Sequence, residues 1–310
     1  MAKVPVSCEW LSGCSGCEMG IVDLHERLLK VLEDIEILRL PILVDEKLYP
    51  KATLGIITGA LRTEHDVECA KRMRESCTTI LAFGTCAVFG GPQGSGYAHA
   101  LGDLEKTAFV NNPTTETHFV PNENVPKLLE TGVAPIDTVI DVDLYLPGCP
   151  PHAYYVFEAL RAILQGSAPE FGNHNVCFKC TRHMEHSKVS ALRRLHEGPV
   201  EPKTCFLSQG VLCMGSATLD RCLAPCPERG APCTGCGGPS ESVVLEPNRD
   251  IRTEVAHRMA MLTTIPEADI VHSIEKQACT YYAYAMASTV FRQKPTFLLR
   301  RWISDEGTRR

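Results

Sequence analysis

Sixteen cysteines stand out in a chain of 310 residues. Cys14 and Cys17 lie two residues apart in the stretch WLSGCSGCE, padded with Gly and Ser; Cys86 follows TTILAFGT and Cys149 follows VIDVDLYLPG. Eight more, Cys177, Cys180, Cys205, Cys213, Cys222, Cys226, Cys233 and Cys236, fall in a Gly- and Pro-rich stretch with little periodicity. Thiolates are soft ligands suited to zinc or to iron–sulfur clusters. In a reducing compartment, clustered cysteines point to metal rather than to disulfides. The opening residues MAKVPVSCEW show neither a basic-then-apolar leader nor a twin arginine, so the expected location is the cytoplasm.

Spacing narrows the choice of metal. Zinc ribbons set two CxxC pairs about 15–20 residues apart, whereas here the pairs at 177 and 233 are much further apart, with four cysteines between them. The bacterial ferredoxin run is absent as well. Zinc stays open as an alternative for each group, but the eight later thiols divide naturally, in chain order, into Cys177, Cys180, Cys205, Cys213 and Cys222, Cys226, Cys233, Cys236. Three clusters in one chain make an electron relay, since electron transfer weakens steeply with distance. No P-loop, HExxH or GxSxG motif supplies chemistry at its end, which assigns the catalytic site to a partner.

The elements that must hold these ligands alternate over the first 165 residues. Short apolar runs at 3–10, 35–44, 53–61, 78–84 and 139–146 read as strands. Between the first two, Ile21, Leu24, Leu28, Val31, Leu32 and Ile35 recur at three and four, predicting one helix over 18–34; 64–76 and 152–164 read as helices too. Such alternation predicts an α/β fold with a flavodoxin-like, doubly wound parallel sheet. Cys14, Cys17, Cys86 and Cys149 then all fall just past strand C-terminal ends, the edge where ligands collect. Neighbouring Gly13, Gly16, Gly84 and Gly148 would let backbone approach a bulky inorganic core. The segment 90–137 breaks the rhythm and is long for a structureless loop. A loop-rich iron–sulfur domain with a few helices follows (250–262 and 268–291), giving a division at 1–168 and 169–310.

Composition excludes other classes. A net charge of −6 and a pI near 6.0 give no sign of a nucleic-acid binder. No eighteen consecutive residues are apolar, so no membrane span is expected, and 278–291 fits a buried or interface helix.

The motifs GCSGCE, GTCAVFGG and LPGCPP, with the order CFKC…C…C…C…C…CTGC, resemble the small subunit of [NiFe] hydrogenases, most like the small (gamma) subunit of cytoplasmic methyl-viologen-reducing, F420-non-reducing enzymes. The resemblance covers most of residues 8–240. It implies three [4Fe–4S] clusters: a proximal one on Cys14, Cys17, Cys86 and Cys149, a distal one on Cys177, Cys180, Cys205 and Cys213, and a medial one on Cys222, Cys226, Cys233 and Cys236. It also implies a partner large subunit bearing the Ni–Fe centre where H₂ is split, and onward transfer to a small [2Fe–2S] subunit and heterodisulfide reductase, as in methanogenesis. Many periplasmic relatives have histidine where this chain has Cys177, and a three-cysteine medial site where Cys226 adds a fourth. Extra thiolate charge favours the oxidised cluster and a lower potential. The competing assignments are a sulfhydrogenase-type, NAD(P)-linked small subunit and a complex I-type iron–sulfur subunit, which lacks the eight downstream cysteines.

The remaining candidates have plainer readings. Cys69, Cys77 and Cys279 are expected to be buried structural thiols; Cys8 is expected in the core on the first strand, with a thiol near the proximal cluster as the other possibility. His174, His183 and His186 are expected at the surface or supporting the CFKC pair. Glu18 fits a carboxylate at a helix N-terminus, with contact to the large subunit or proton relay as the other possibility. Arg300, Arg301, Arg309 and Arg310 form a basic tail.

Overall fold

The computed structural model describes residues 3–294 except Ile42 and Thr117. The chain divides into two compact units, Met1–Pro169 with Met286–Thr289, and Glu170–Ala285 with Val290–Arg310.

The first unit is built on five parallel strands, β1 (Val4–Trp10), β2 (Ile35–Arg39), β3 (Ala52–Thr58), β4 (Cys77–Phe83) and β5 (Leu144–Leu146), in the order β2-β1-β3-β4-β5. This is the flavodoxin-like order expected from the sequence. The central strand β3 pairs Val6 with Leu54 on one side and Ile56 with Leu81 on the other. Its residues Leu54, Ile56 and Ile57 are almost wholly buried, as a parallel strand covered on both faces requires. Among the described residues the unit has six α-helices: α1 (Gly16–Val22), α2 (Glu26–Asp34), α3 (Glu64–Ser76), α4 (Thr85–Phe89), α5 (Leu101–Glu105) and α6 (Ala153–Leu164). α3 runs over the residues its periodicity predicts. Its start is fixed by a capping box in which Thr63 and Asp66 satisfy each other's backbone N–H groups, and its Ala70 and Met73 join Ile57, Leu61, Ile80 and Ala82 in the core.

The second unit holds short helices α7 (Pro225–Glu228) and α8 (Glu241–Leu245), two longer ones, α9 (Ile251–Leu262) and α10 (Glu267–Lys276), then α11 (Ala278–Tyr281) and α12 (Thr289–Gln293). Between residues 170 and 240 the backbone is otherwise loop and single 3₁₀ turns.

Several boundaries differ from the pattern. The helix expected over 18–34 is broken at Asp23–His25, where His25 adopts φ +52° and α2 starts anew. The expected helix 268–291 is three helices, interrupted at Gln277 and again between Tyr281 and Thr289. β2 ends at Arg39, since Leu40 folds back to bridge Val44, and β5 shrinks to three residues behind a 3₁₀ turn at Ile136–Thr138. Among the described residues no helix is long and apolar enough to cross a membrane. The basic tail lies outside the described residues.

Candidate metal centres

The first four thiols sit where the sheet ends. Past β1 the chain is tied to β3: Leu11 N–H donates to Thr58 O at 2.9 Å and Ala60 N–H to Ser12 O at 2.8 Å. Cys14 lies in this turn and Cys17 in the first turn of α1. Cys86 opens α4 directly behind β4. Cys149 follows β5 and precedes a cis peptide to Pro150. The loops behind β4 and β5 are stitched together, with Thr85 N–H donating to Gly148 O at 2.8 Å and Gly148 N–H to Thr85 Oγ1 at 2.9 Å. Strand ends far apart in sequence thus deliver four sulfurs to one edge.

Electrostatics shows that the four are neighbours. Burial raises the Cys17 thiol far above its ordinary range, with Glu18, Cys86, Cys149 and Cys14 adding to the shift. Cys86 is pushed up to about 12 by burial, then by Cys149 and Cys14, against a hydrogen bond with Gln93. Cys149 is raised by burial and by Cys14. Ligation replaces each thiol proton with a metal and so relieves this crowding, at the cost of releasing protons.

Two glycines shape the space around the sulfurs. A Cβ on Gly84 (φ +87°) would fall 2.3 Å from Cys17 Sγ, and one on Gly91 (φ +62°) 2.3 Å from Cys86 Sγ. Either position with a side chain would displace a cysteine sulfur. Gly13 and Gly148 instead press on backbone, at 3.2 Å from Gly59 Cα and 2.4 Å from Pro151 Cα, so their role is in the turns themselves. Among the described residues no three His, Cys, Asp or Glu side chains converge tightly enough to share a single ion. One zinc would need four sulfurs each about 2.3 Å away. The chemistry of an all-thiol donor set, beside glycines whose Cβ would fall on a sulfur, fits a soft metal centre such as an iron–sulfur cluster.

The second unit gathers the other eight. Cys177, Cys180, Cys205 and Cys213 line one cavity, together with Arg182 and Phe206. Cys177 is pushed up to about 12 by burial, then by Cys205 and Cys180. Cys205 is raised by burial against hydrogen bonds from the Leu207 and Ser208 N–H groups. Beside this set, burial pushes Cys233 up to about 11; hydrogen bonds from the Gly235 N–H and the Thr218 hydroxyl oppose the shift, while Cys222 and Cys226 add to it. Cys236 stands three residues on, half-buried. The two groups touch, with Cys233 N–H donating to Cys213 Sγ at 3.2 Å.

The other candidates sort themselves by burial. Cys8, Cys69 and Cys77 are buried, whereas Cys279, expected to be buried, is exposed on α11. The three histidines are exposed, and His174 stacks on Phe178 with ring centroids 3.9 Å apart. Glu18 is 8% exposed; its Oε1 accepts a hydrogen bond from the Thr58 hydroxyl, and its Oε2 has no partner among the described residues. Sequence reasoning passed over Gly91, Gln93 and Arg182. The long Gly-rich loop flagged the first two, and nothing but adjacency to CFKC flagged the third.

Residues 14–163 match the family model described as NADH ubiquinone oxidoreductase, 20 Kd subunit, a stretch holding the first four cysteines and ending before the other eight. The chain is similar to a subunit of the F420-non-reducing hydrogenase vhu of Methanococcus voltae, 36% identical over 78% of this chain and 84% of that one. It is similar also to the corresponding F420-non-reducing hydrogenase subunit of Methanothermobacter marburgensis, 32% identical over 94% of this chain and 97% of that one. In the crystal structure of NAD⁺-reducing [NiFe]-hydrogenase in the H₂-reduced state, one chain is 32% identical and superimposes with a TM-score of 0.53, covering 55% of this chain and 96% of that one. With sequence likeness across both units and thiols converging at the flavodoxin edge, the chain belongs to the [NiFe] hydrogenase small-subunit family, among the relatives found in F420-non-reducing hydrogenases.

Proposed function

We infer that this chain is the electron-transfer small subunit of a cytoplasmic heteromeric [NiFe] hydrogenase. It binds a proximal [4Fe–4S] cluster through Cys14, Cys17, Cys86 and Cys149, a distal one through Cys177, Cys180, Cys205 and Cys213, and a medial one through Cys222, Cys226, Cys233 and Cys236. When bound, such clusters supply one-electron carriers whose potentials follow charge, hydrogen bonding and exposure. The observation that carries this reading is the gathering of four thiols at a sheet edge, four more around one cavity, and Cys222, Cys226 and Cys233 beside it. The chain's own residues hold the ligands in place, exclude water by burial and direct N–H groups at sulfur, as Cys233 does toward Cys213.

Electrons from H₂ would enter from a large subunit bearing the Ni–Fe centre. They would leave to a small [2Fe–2S] subunit and on to heterodisulfide reductase, an acceptor favoured by likeness to F420-non-reducing hydrogenase subunits from methanogens. The likeness to a NAD⁺-reducing enzyme favours a second reading, in which a sulfhydrogenase-type partner passes electrons to NAD(P). Purification of the native complex tests both. About twelve irons per chain with matching acid-labile sulfide, a copurifying nickel subunit and H₂-dependent dye reduction are expected. An iron-rich complex without nickel or H₂ activity overturns the assignment, and H₂-dependent NAD(P) reduction selects the second acceptor.

A further inference from the structure

Arg182 follows Cys180 by two residues and is only 8% exposed. A guanidinium remains charged under all physiological conditions, and burying a charge is costly unless it is paired. Arg182 is held by carbonyl oxygens alone: its Nε donates to Pro227 O at 2.8 Å, and its Nη1 to Glu201 O at 2.9 Å and Thr204 O at 3.0 Å. Its Cζ lies 4.0 Å over the Phe206 ring. None of these partners carries a charge, and no described carboxylate forms an ion pair with it. Two other buried arginines are paired with carboxylates, Arg39 with Glu9 at 2.7 Å and Arg252 with Asp250 at 3.0 Å. Carbonyl dipoles solvate a cation but do not neutralise it.

The compensating charge is on the other side of the same wall. Arg182 lines the cavity formed by Cys177, Cys180, Cys205 and Cys213. Four thiolates around an iron–sulfur core give an anion there, and net local charge is one of the levers on cluster potential. We propose that Arg182 is the built-in counter-cation of the distal cluster, holding that cluster's potential above the value its four thiolates alone would set. Taking the distal ligand set as assigned above, this gives Arg182 the role of a positioning and tuning residue.

The test is a redox titration of the purified holo-complex, followed by electron paramagnetic resonance, with variants R182K and R182Q. R182K keeps the charge and loses the fork; R182Q keeps an amide donor and loses the charge. The distal one-electron equilibrium is expected to shift about tenfold toward the oxidised form in R182Q, equivalent to about 59 mV. It should stay near the wild-type value in R182K, with the proximal signal unchanged in both. Retention of distal iron in R182K and its loss in R182Q would support the same role. Equal behaviour of the two variants, whether both shift, neither shifts or both lose the cluster, makes Arg182 a hydrogen-bonding peg and overturns the proposal. A wild-type complex lacking a distal signal overturns the cluster assignment itself, a failure seen before any variant is made.

Discussion

At the scale of single residues, the proximal site depends as much on what is missing as on what is present. Gly84 and Gly91 are the two positions where a methyl group would fall 2.3 Å from the sulfur of a proposed ligand, Cys17 or Cys86, and both have positive φ. Gly84→Ala therefore strains the backbone and drives Cys17 out of position. The variant complex is expected to lose about four irons per chain, the content of one cubane, while the signals of the other two clusters persist. Iron and sulfide analysis with spectroscopy checks this, and full iron content would show that the loop yields freely. The cysteines themselves were legible, because thiols past strand ends share an edge whatever the details. Gly91, Gln93 and Arg182 were not, since their places beside Cys86 and in the wall of the Cys177, Cys180, Cys205 and Cys213 cavity come from loop packing that leaves no periodic trace.

At the scale of elements, the sequence pattern is read well where apolar periodicity coincides with a capping signal and poorly where it does not. α3 has both, and its limits are as predicted. The apolar face of 18–34 continues through Asp23–His25 although the backbone does not, because a tight turn can keep Leu24 buried at 3% exposure without helical geometry. In 278–291 nearly every residue is small or apolar, so no period distinguishes helix from turn; Ala287 packs against the space left by Gly90 and Gly94. The short β5 is held by another device. Asp143, just before it, accepts hydrogen bonds from Ile80 N–H at 2.7 Å and from Arg74 Nη1 at 2.6 Å. Partial burial pushes its carboxyl up, but these two donors outweigh that and hold it below the usual carboxylate range. A depressed folded-state pKa stabilises above the unfolded value of about 3.9, and that contribution disappears as pH falls through the folded one. The stability difference between wild type and D143N should thus be constant from pH 7 to about 5 and shrink below about 4. Thermal unfolding of both across this range checks it, since acid attack on the clusters affects the two alike. A difference that grows in acid would reverse the sign and refute the account.

At the scale of the whole molecule, the two units meet the entropy of folding by different means. The first has a five-stranded ladder and a core in which Ile57, Leu61, Ala70, Met73, Ile80 and Ala82 are completely buried. In the second, residues 177–236 contain one four-residue helix and isolated 3₁₀ turns. Ordering a residue costs about 1–2 kcal/mol of backbone entropy, and a stretch with neither ladder nor long helix has few backbone hydrogen bonds to set against it. Burial raises Cys177, Cys205, Cys213, Cys222 and Cys233 toward protonation, and these thiols add nothing until metal replaces the protons. With the clusters proposed above, cluster insertion is expected to be the folding step of this region, as metal binding is in small zinc domains. Chelation of iron under anaerobic reduction should abolish hydrogen-exchange protection over 177–236 while the amides of β1, β3 and β4 stay protected. Protection that survives iron removal would mean that the apolar residues Val176, Phe206, Leu207 and Met214, all at most 1% exposed, order the region without metal.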